Sequence, residues 1–217
     1  MRASLLLVVP LVACQSGSTE NVELKLKPAP MLTAAFTEPF ERTTLGESYY
    51  ATTDVYKLVN GKLKVQGAHN HPLWLRQRLP ADATIELDVS SDSPQGDIKI
   101  EVWGDGESFD ADGGAYRSTG YVFIMGGWGN SRSILAKGDE HEPGIPSRLE
   151  PKVEPGKTYH WKIVRKGKRI DWYVDDMATP FLTFDDPQPL LGAGHEYLGF
   201  DNWETPVWFD NLTITPG

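Results

Sequence analysis

Cysteine is nearly missing from this chain of 217 residues, which carries one, Cys14. A single thiol excludes an intramolecular disulfide framework and any zinc site built on paired thiolates. Long apolar runs are missing as well. The best of them, Leu5 to Val12, is too short to cross a hydrocarbon layer of ~30 Å as a helix. No stripe with a 3.6-residue period has useful length, which excludes a helical architecture. Acidic residues outnumber basic ones, 30 against 21, for a net charge of −9. Without long basic runs, that balance argues against nucleic acid and anionic lipid headgroups as partners, and leaves neutral or cationic ligands open. The Gly-x-Ser-x-Gly elbow, the phosphate loop and the dinucleotide fingerprint are all absent, which sets aside nucleophilic serine chemistry and nucleotide binding.

The N-terminus is informative. Arg2, the apolar run and Leu11-Val12-Ala13-Cys14 follow one another in the order of an export signal with a lipid-attachment cleavage site. The segment resembles a bacterial lipoprotein signal peptide. That resemblance implies a signal over residues 1–13, diacylglycerol on Cys14, and attachment to a membrane through that lipid. Gln15, where an aspartate would mark retention in the inner membrane, points to an outer-membrane lipoprotein of the cell envelope. Residues 14–35, rich in Ser, Thr, Glu and Lys with Pro28-Ala29-Pro30, read as a flexible tether. One domain is expected over 36–217.

Within that domain, short β-branched and aromatic runs alternate with Gly, Pro, Asn and Asp clusters, the pattern of an all-β chain. Asn60-Gly61, between Val55–Val59 and Lys62–Gln66, supplies the positive φ angles of a two-residue hairpin. A second hairpin is predicted at 158–175 through Lys166-Gly167-Lys168, and further strands at 73–78, 83–89, 97–103, 120–125, 132–137, 196–200 and 206–214. About a dozen such strands predict a two-sheet antiparallel sandwich or jelly roll. Alternation assigns Ile85, Leu87 and Val89, Ile98, Ile100 and Val102, Val122 and Ile124, and Ile170, Trp172 and Val174 to the core. Glu86, Asp88, Lys99, Glu101, Trp103, Tyr121, Phe123 and Met125 are then expected to face outward, an aromatic and acidic surface suited to a groove.

Several segments together resemble the concanavalin A-like lectin and glucanase superfamily, especially its laminin-G-like and 3-keto-disaccharide-hydrolase-like branches. They are Gly61-Lys-Leu, Gly126-Gly127-Trp128, Lys157-Thr-Tyr-His-Trp161, Arg165-Lys-Gly-Lys-Arg-Ile-Asp-Trp-Tyr-Val-Asp175 and Phe209-Asp210-Asn211-Leu212. The resemblance spans 36–214 and implies a concanavalin A-like jelly roll holding ligands on a concave face or at its rim.

Candidate chemistry follows from residue types. Trp103, Trp128 and Trp203 end strands or sit in loops beside polar residues and glycines, which suits aromatic platforms for sugar rings. Glu101, Asn130, Arg132, Glu140, His141 and Asn202 are the expected polar contacts. Trp161 and Trp172 are expected in the core. Glu86-Leu87-Asp88 begins the glucanase pattern of carboxylates on one strand, but Ser90 and Ser91 stand where the third would be. Glu101, Asp105 and His141 are the candidates for acid or base in a glycoside hydrolase. Asp210, with Glu38 or Glu41, is the candidate for a structural calcium ion, and the Asp105–Gly114 loop has some calcium-loop character. His69-Asn70-His71 would set two imidazoles on one side of an extended segment, with no third ligand implied. A tethered carbohydrate-binding protein is thus the leading expectation. A glycoside hydrolase and a structural surface protein are the alternatives.

Overall fold

A computed structural model describes residues 29–111 and 117–217. Residues 1–28, with the signal segment, Cys14 and most of the tether, and residues 112–116, with the end of the Asp105–Gly114 loop, lie outside the described residues. In chain order the strands are β1 (Phe36–Glu38), β2 (Tyr49–Ala51), β3 (Lys57–Val59), β4 (Lys62–Val65), β5 (Leu73–Leu75), β6 (Ala83–Ser91), β7 (Ile98–Gly104), β8 (Tyr121–Gly126), β9 (Arg132–Lys137), β10 (Ser147–Arg148), β11 (Thr158–Lys166), β12 (Arg169–Val174), β13 (Leu182–Asp185), β14 (Tyr197–Asp201) and β15 (Val207–Pro216).

Asn60 and Gly61 both adopt positive φ, 52° and 73°, and close the β3–β4 hairpin as the sequence predicts. Gly167, at φ 57°, turns β11 into β12. Antiparallel pairing builds two sheets. An eight-stranded sheet runs β13-β12-β11-β6-β15-β4-β3, with β1 added against β15, and a seven-stranded sheet runs β10-β9-β8-β7-β14-β5-β2. This is an all-β, two-sheet antiparallel jelly-roll sandwich. The chain joins it before β1, since Met31 bridges Arg78 and the Leu32 amide donates to the Arg78 carbonyl at 2.9 Å.

Aromatic rings close the space between the sheets. Phe123 of β8 meets Trp172 of β12 edge-on at 5.6 Å, Phe200 of β14 meets Phe209 of β15 at 4.9 Å, and Trp161 packs on Trp172 at 4.7 Å. Ile85, Leu87 and Val89, and Ile98, Ile100 and Val102, point into this core as alternation predicts.

Two expectations about facing are corrected. In β8 it is Tyr121, Phe123 and Met125 that enter the core, while Val122 and Ile124 face out and are buried with Ile134 and Ala136 of β9 against Ile145. Both faces of β8 are therefore apolar and covered, so alternation carries no information about which is inward. Trp103 is the second case. It has no exposed surface and lies in the core beside Tyr121, its indole N–H donating to the Pro80 carbonyl at 2.9 Å. The β7–β14 register shifts beside it, pairing Gly104 with Tyr197 and Val102 with Leu198, and Trp103 takes φ 57°. The bulge turns its ring to the same side as Val102. Glu86 and Asp88 do face out, but on the eight-stranded sheet, away from Lys99 and Glu101 on the other.

Candidate functional site

On the outward side of the seven-stranded sheet, the loop after β7 folds back over part of the surface. Trp74 of β5 is fully buried beneath it, its indole N–H donating to the Ser108 carbonyl at 3.0 Å. Asp105 shapes that loop from within, accepting from the amides of Glu107 and Ser108 at 2.9 Å each and from the Ser108 hydroxyl. Glu101 is also covered, 1% exposed, and its carboxylate accepts from the amides of Thr119 and Gly120 at 2.9 and 2.7 Å. Both carboxylates expected as acid or base are thus engaged in holding the backbone, and neither lines the cavity that opens on the rest of this face.

The rest of the face opens into a cavity of about 620 Å³. The sheet contributes Lys99 and Ile124. Five loops wall it: Asn70 from β4–β5, Ser93 to Asp97 from β6–β7, Gly127 to Gly129 from β8–β9, Glu140 and His141 from β9–β10, and Trp203 to Pro206 from β14–β15. Trp128 and Trp203, 40% and 46% exposed, are the large apolar surfaces.

Each tryptophan is held in place. Gly126, Trp128, Gly129 and Asn130 all take positive φ, folding the β8–β9 turn tightly. For Trp128, at φ 51° and ψ 55°, that left-handed conformation costs roughly 1–2 kcal/mol. The Arg132 guanidinium lies 4.2 Å over its ring, and the His141 ring meets it edge-on at 5.7 Å. Asn130 points under the turn, donating to the carbonyls of Pro94 and Val153 at 3.0 and 2.8 Å and accepting from the Val153 amide at 2.9 Å. On the other wall the Trp203 amide donates to Asp97 at 2.7 Å, and its ring packs on His69 at 4.8 Å. Asn202 is fully buried, accepting from the Ala68 amide at 3.0 Å and donating to the Thr205 carbonyl.

Beneath the cavity lies a buried charge network. The Lys99 ammonium reaches Asn70 Oδ1 at 2.6 Å, Glu140 Oε2 at 2.7 Å and Asp201 Oδ2 at 3.5 Å. Burial works against this cation, but the carboxylates of Asp201 and Glu140 outweigh it and raise its pKa. Asp201 is 1% exposed, and burial pushes its carboxyl up to about 7 against the pull of Lys99. Burial likewise raises Asp97.

Of the expected contacts, Trp128, Trp203, Glu140 and His141 line this cavity. Arg132 stands behind Trp128, Asn130 and Asn202 fix the loops, and Trp103, Glu101 and Asp105 lie elsewhere. Asp210 is on the eight-stranded sheet, 3.8 Å from the Lys62 ammonium. Glu38 is tied to Arg42 at 2.6 Å and to the amide of Phe40 at 2.9 Å. With both carboxylates facing cations, Asp210 and Glu38 do not fit a calcium ion, and no group of three His, Cys, Asp or Glu side chains among the described residues, Glu41 included, is placed for a metal. His69 and Asn70 take positive φ, so the His69-Asn70-His71 segment is not extended. His69 packs on Trp203 and His71 on Phe109.

The sequence placed Lys99 on the groove side of its strand but did not single out Asn70, Asp97 or Asp201 as parts of the site. Lys99 did carry a signal, a lysine between Ile98 and Ile100 in a strand whose every residue is buried. A buried ammonium requires anionic partners, which Glu140 and Asp201 supply.

No protein-family model and no curated protein matches the sequence. Solved structures match in fold. A carbohydrate-binding module, CBM66, from Bacillus subtilis superposes with a TM-score of 0.56 at 16% identity, over 77% of this chain and 95% of that one. A protein of unknown function with a galectin-like fold, also from Bacillus subtilis, gives 0.58 at 12% identity, over 84% and 96%. A laminarinase from Flavobacterium sp. UMI-01 gives 0.55 at 10% identity, over 84% and 99%. At these identities the likeness establishes the jelly-roll fold.

Proposed function

We propose that this protein binds carbohydrate in the cavity between Trp128 and Trp203 without cleaving it. The observation that carries the reading is that two half-exposed tryptophans, held by separate loops, line one cavity with Asn70, Gln95, Glu140, His141 and Glu204. Sugar rings present apolar C–H faces edged by hydroxyls. Indole rings supply area for the former, while amides and carboxylates meet the latter. The walls are pre-set by backbone hydrogen bonds and by the strained Trp128 turn, which lowers the ordering cost of binding. A carbohydrate-binding module and a laminarinase among the fold matches support carbohydrate as the ligand.

Binding is favoured over glycoside hydrolysis because the carboxylates best placed by sequence, Glu101 and Asp105, are consumed in loop structure, and Glu140 is paired with Lys99. Hydrolysis needs two carboxyl groups free to face the scissile bond. We further propose that the domain is carried on a lipid-anchored N-terminus through Cys14, at the outer membrane of a bacterial envelope. The support is the Leu11-Val12-Ala13-Cys14 order followed by Gln15.

A glycan array followed by calorimetry tests the binding role. At least one oligosaccharide class is expected to bind the wild type, and Trp128→Ala or Trp203→Ala to weaken it by about tenfold or more, in line with ~1–2 kcal/mol for a lost aromatic contact. An array with no binding, or variants that bind like wild type, would refute the reading. Release of reducing ends from a bound glycan would favour the hydrolase instead.

A further inference from the structure

On the hairpin of β3 and β4, Lys57 and Lys64 are direct cross-strand partners, so their side chains stand on the same face. Like charges directly opposite one another destabilise a sheet pair. One step along, the same face resolves its charge, with Lys62 3.8 Å from Asp210. Lys57 and Lys64 form no ion pair among the described residues, although acidic residues outnumber basic ones in the chain. Lys64 has only the Trp208 ring, 4.9 Å from its ammonium.

These two lysines line a second concavity, of about 490 Å³, with Val55, Gln66, His69 and Glu204. Glu204 also lines the tryptophan cavity, and His69 packs on Trp203. The second groove therefore begins where the first ends, across a wall one loop thick. The two differ in sign. Asp97, Glu140 and Glu204 outnumber Lys99 in the cavity, whereas the lysine pair dominates the groove.

We propose that the lysine groove is a second subsite, which takes an anionic group on a sugar unit next to the one held between the tryptophans. The occupant is a carboxylate or a sulfate ester, and the ligand is an oligosaccharide with an uncharged unit in the cavity and an acidic unit beyond Glu204. An anion between Lys57 and Lys64 relieves their repulsion and gains charge-assisted hydrogen bonds. The acidic cavity turns the same anion away, which fixes the direction in which the chain lies. This inference rests on the carbohydrate reading of the cavity.

The test is calorimetry with oligosaccharides of one backbone and length, neutral or carrying a single uronate or a single sulfate, chosen from backbones that bind the array. One charged form is expected to bind about tenfold more tightly than the neutral form at low salt, an advantage that shrinks as ionic strength rises. The uronate and sulfate arms identify which anion is preferred. Lys57→Gln with Lys64→Gln is expected to abolish the advantage while neutral affinity stays within twofold. Trp128→Ala is expected to weaken all forms together. Equal affinity for neutral and charged forms, or an advantage that survives the double variant, overturns the subsite and leaves the carbohydrate reading standing. If no backbone binds at all, both fall.

Discussion

Asp201 shows how much one buried side chain can set. Its carboxyl is almost fully covered, has one oxygen on the Asn202 amide at 2.8 Å, and faces Lys99 with the other at 3.5 Å. A carboxyl raised from 3.8 to about 7 on folding binds its proton more tightly in the native state. Its contribution to stability is thus fully present below the unfolded value and is lost as pH climbs through the folded one. Lys99, with its pKa raised, stays charged across that window. Urea denaturation from pH 4.5 to 7.5 is expected to show stability falling with pH, by on the order of a few kcal/mol, and Asp201→Asn is expected to remove most of the slope. The remainder belongs to Asp97, raised in the same sense by burial. Equal slopes in the two proteins would mean that Asp201 titrates normally. None of this pairing is visible in the sequence, where Lys99, Glu140 and Asp201 stand far apart.

Among the elements, the loops rather than the strands decide the site. Among the residues with positive φ that are not glycine, Asn70, Asp97 and Trp128 line one cavity, while His69 packs on Trp203 and Asn130 lies under the Trp128 turn. Backbone strain concentrated in this way marks a place where shape is over-determined. Asn130 is the clearest test, because it does not line the cavity and yet ties the Trp128 turn to Pro94 and Val153 through three hydrogen bonds. Asn130→Ala is expected to cost about 2–4 kcal/mol from the lost bonds, and roughly another 1 for alanine in a left-handed position. A fall in melting temperature with a parallel loss of glycan affinity is the expected readout. Gly96 makes the same point from the facing loop, at φ 68°, because a Cβ there would stand 2.5 Å from the Gly126 carbonyl oxygen. Gly96→Ala is accordingly expected to displace the Trp128 turn and to lower both melting temperature and affinity.

At the scale of the whole molecule, the sandwich leaves its two outer faces with different tasks. One is covered by the loop after β7 and by the loops around the tryptophan cavity. The other presents His160, Asp88 and Asn211 in a connected polar row, His160 Nδ1 and Asn211 Nδ2 each 2.8 Å from the Asp88 carboxylate. The proposed anchor has its own test. In a bacterial host, detergent phase partition is expected to place the wild type with lipid and Cys14→Ser in the aqueous phase. A wild type that partitions with water would remove the anchor while leaving the cavity untouched.

The sequence by itself determined most of the strands, both hairpins, the all-β class, and the core seats of Trp161 and Trp172, because turn chemistry and period-two patterning are local; the short edge strands β1, β2, β10 and β13 carry too few residues to show a pattern and were found only in the fold. It also singled out Trp128, Trp203, Glu140 and His141 from their loop settings. Only the tertiary structure decided that Trp103 turns inward at a bulge, that β8 presents its aromatics to the core, and that Glu101 and Asp105 hold backbone. Where both faces of a strand are apolar, alternation is silent, and the partner surface chooses which side is buried more deeply. The charge network under the cavity is a meeting of loops distant in sequence, so the need of a buried ammonium for partners could be read from Lys99, but not which carboxylates would meet it.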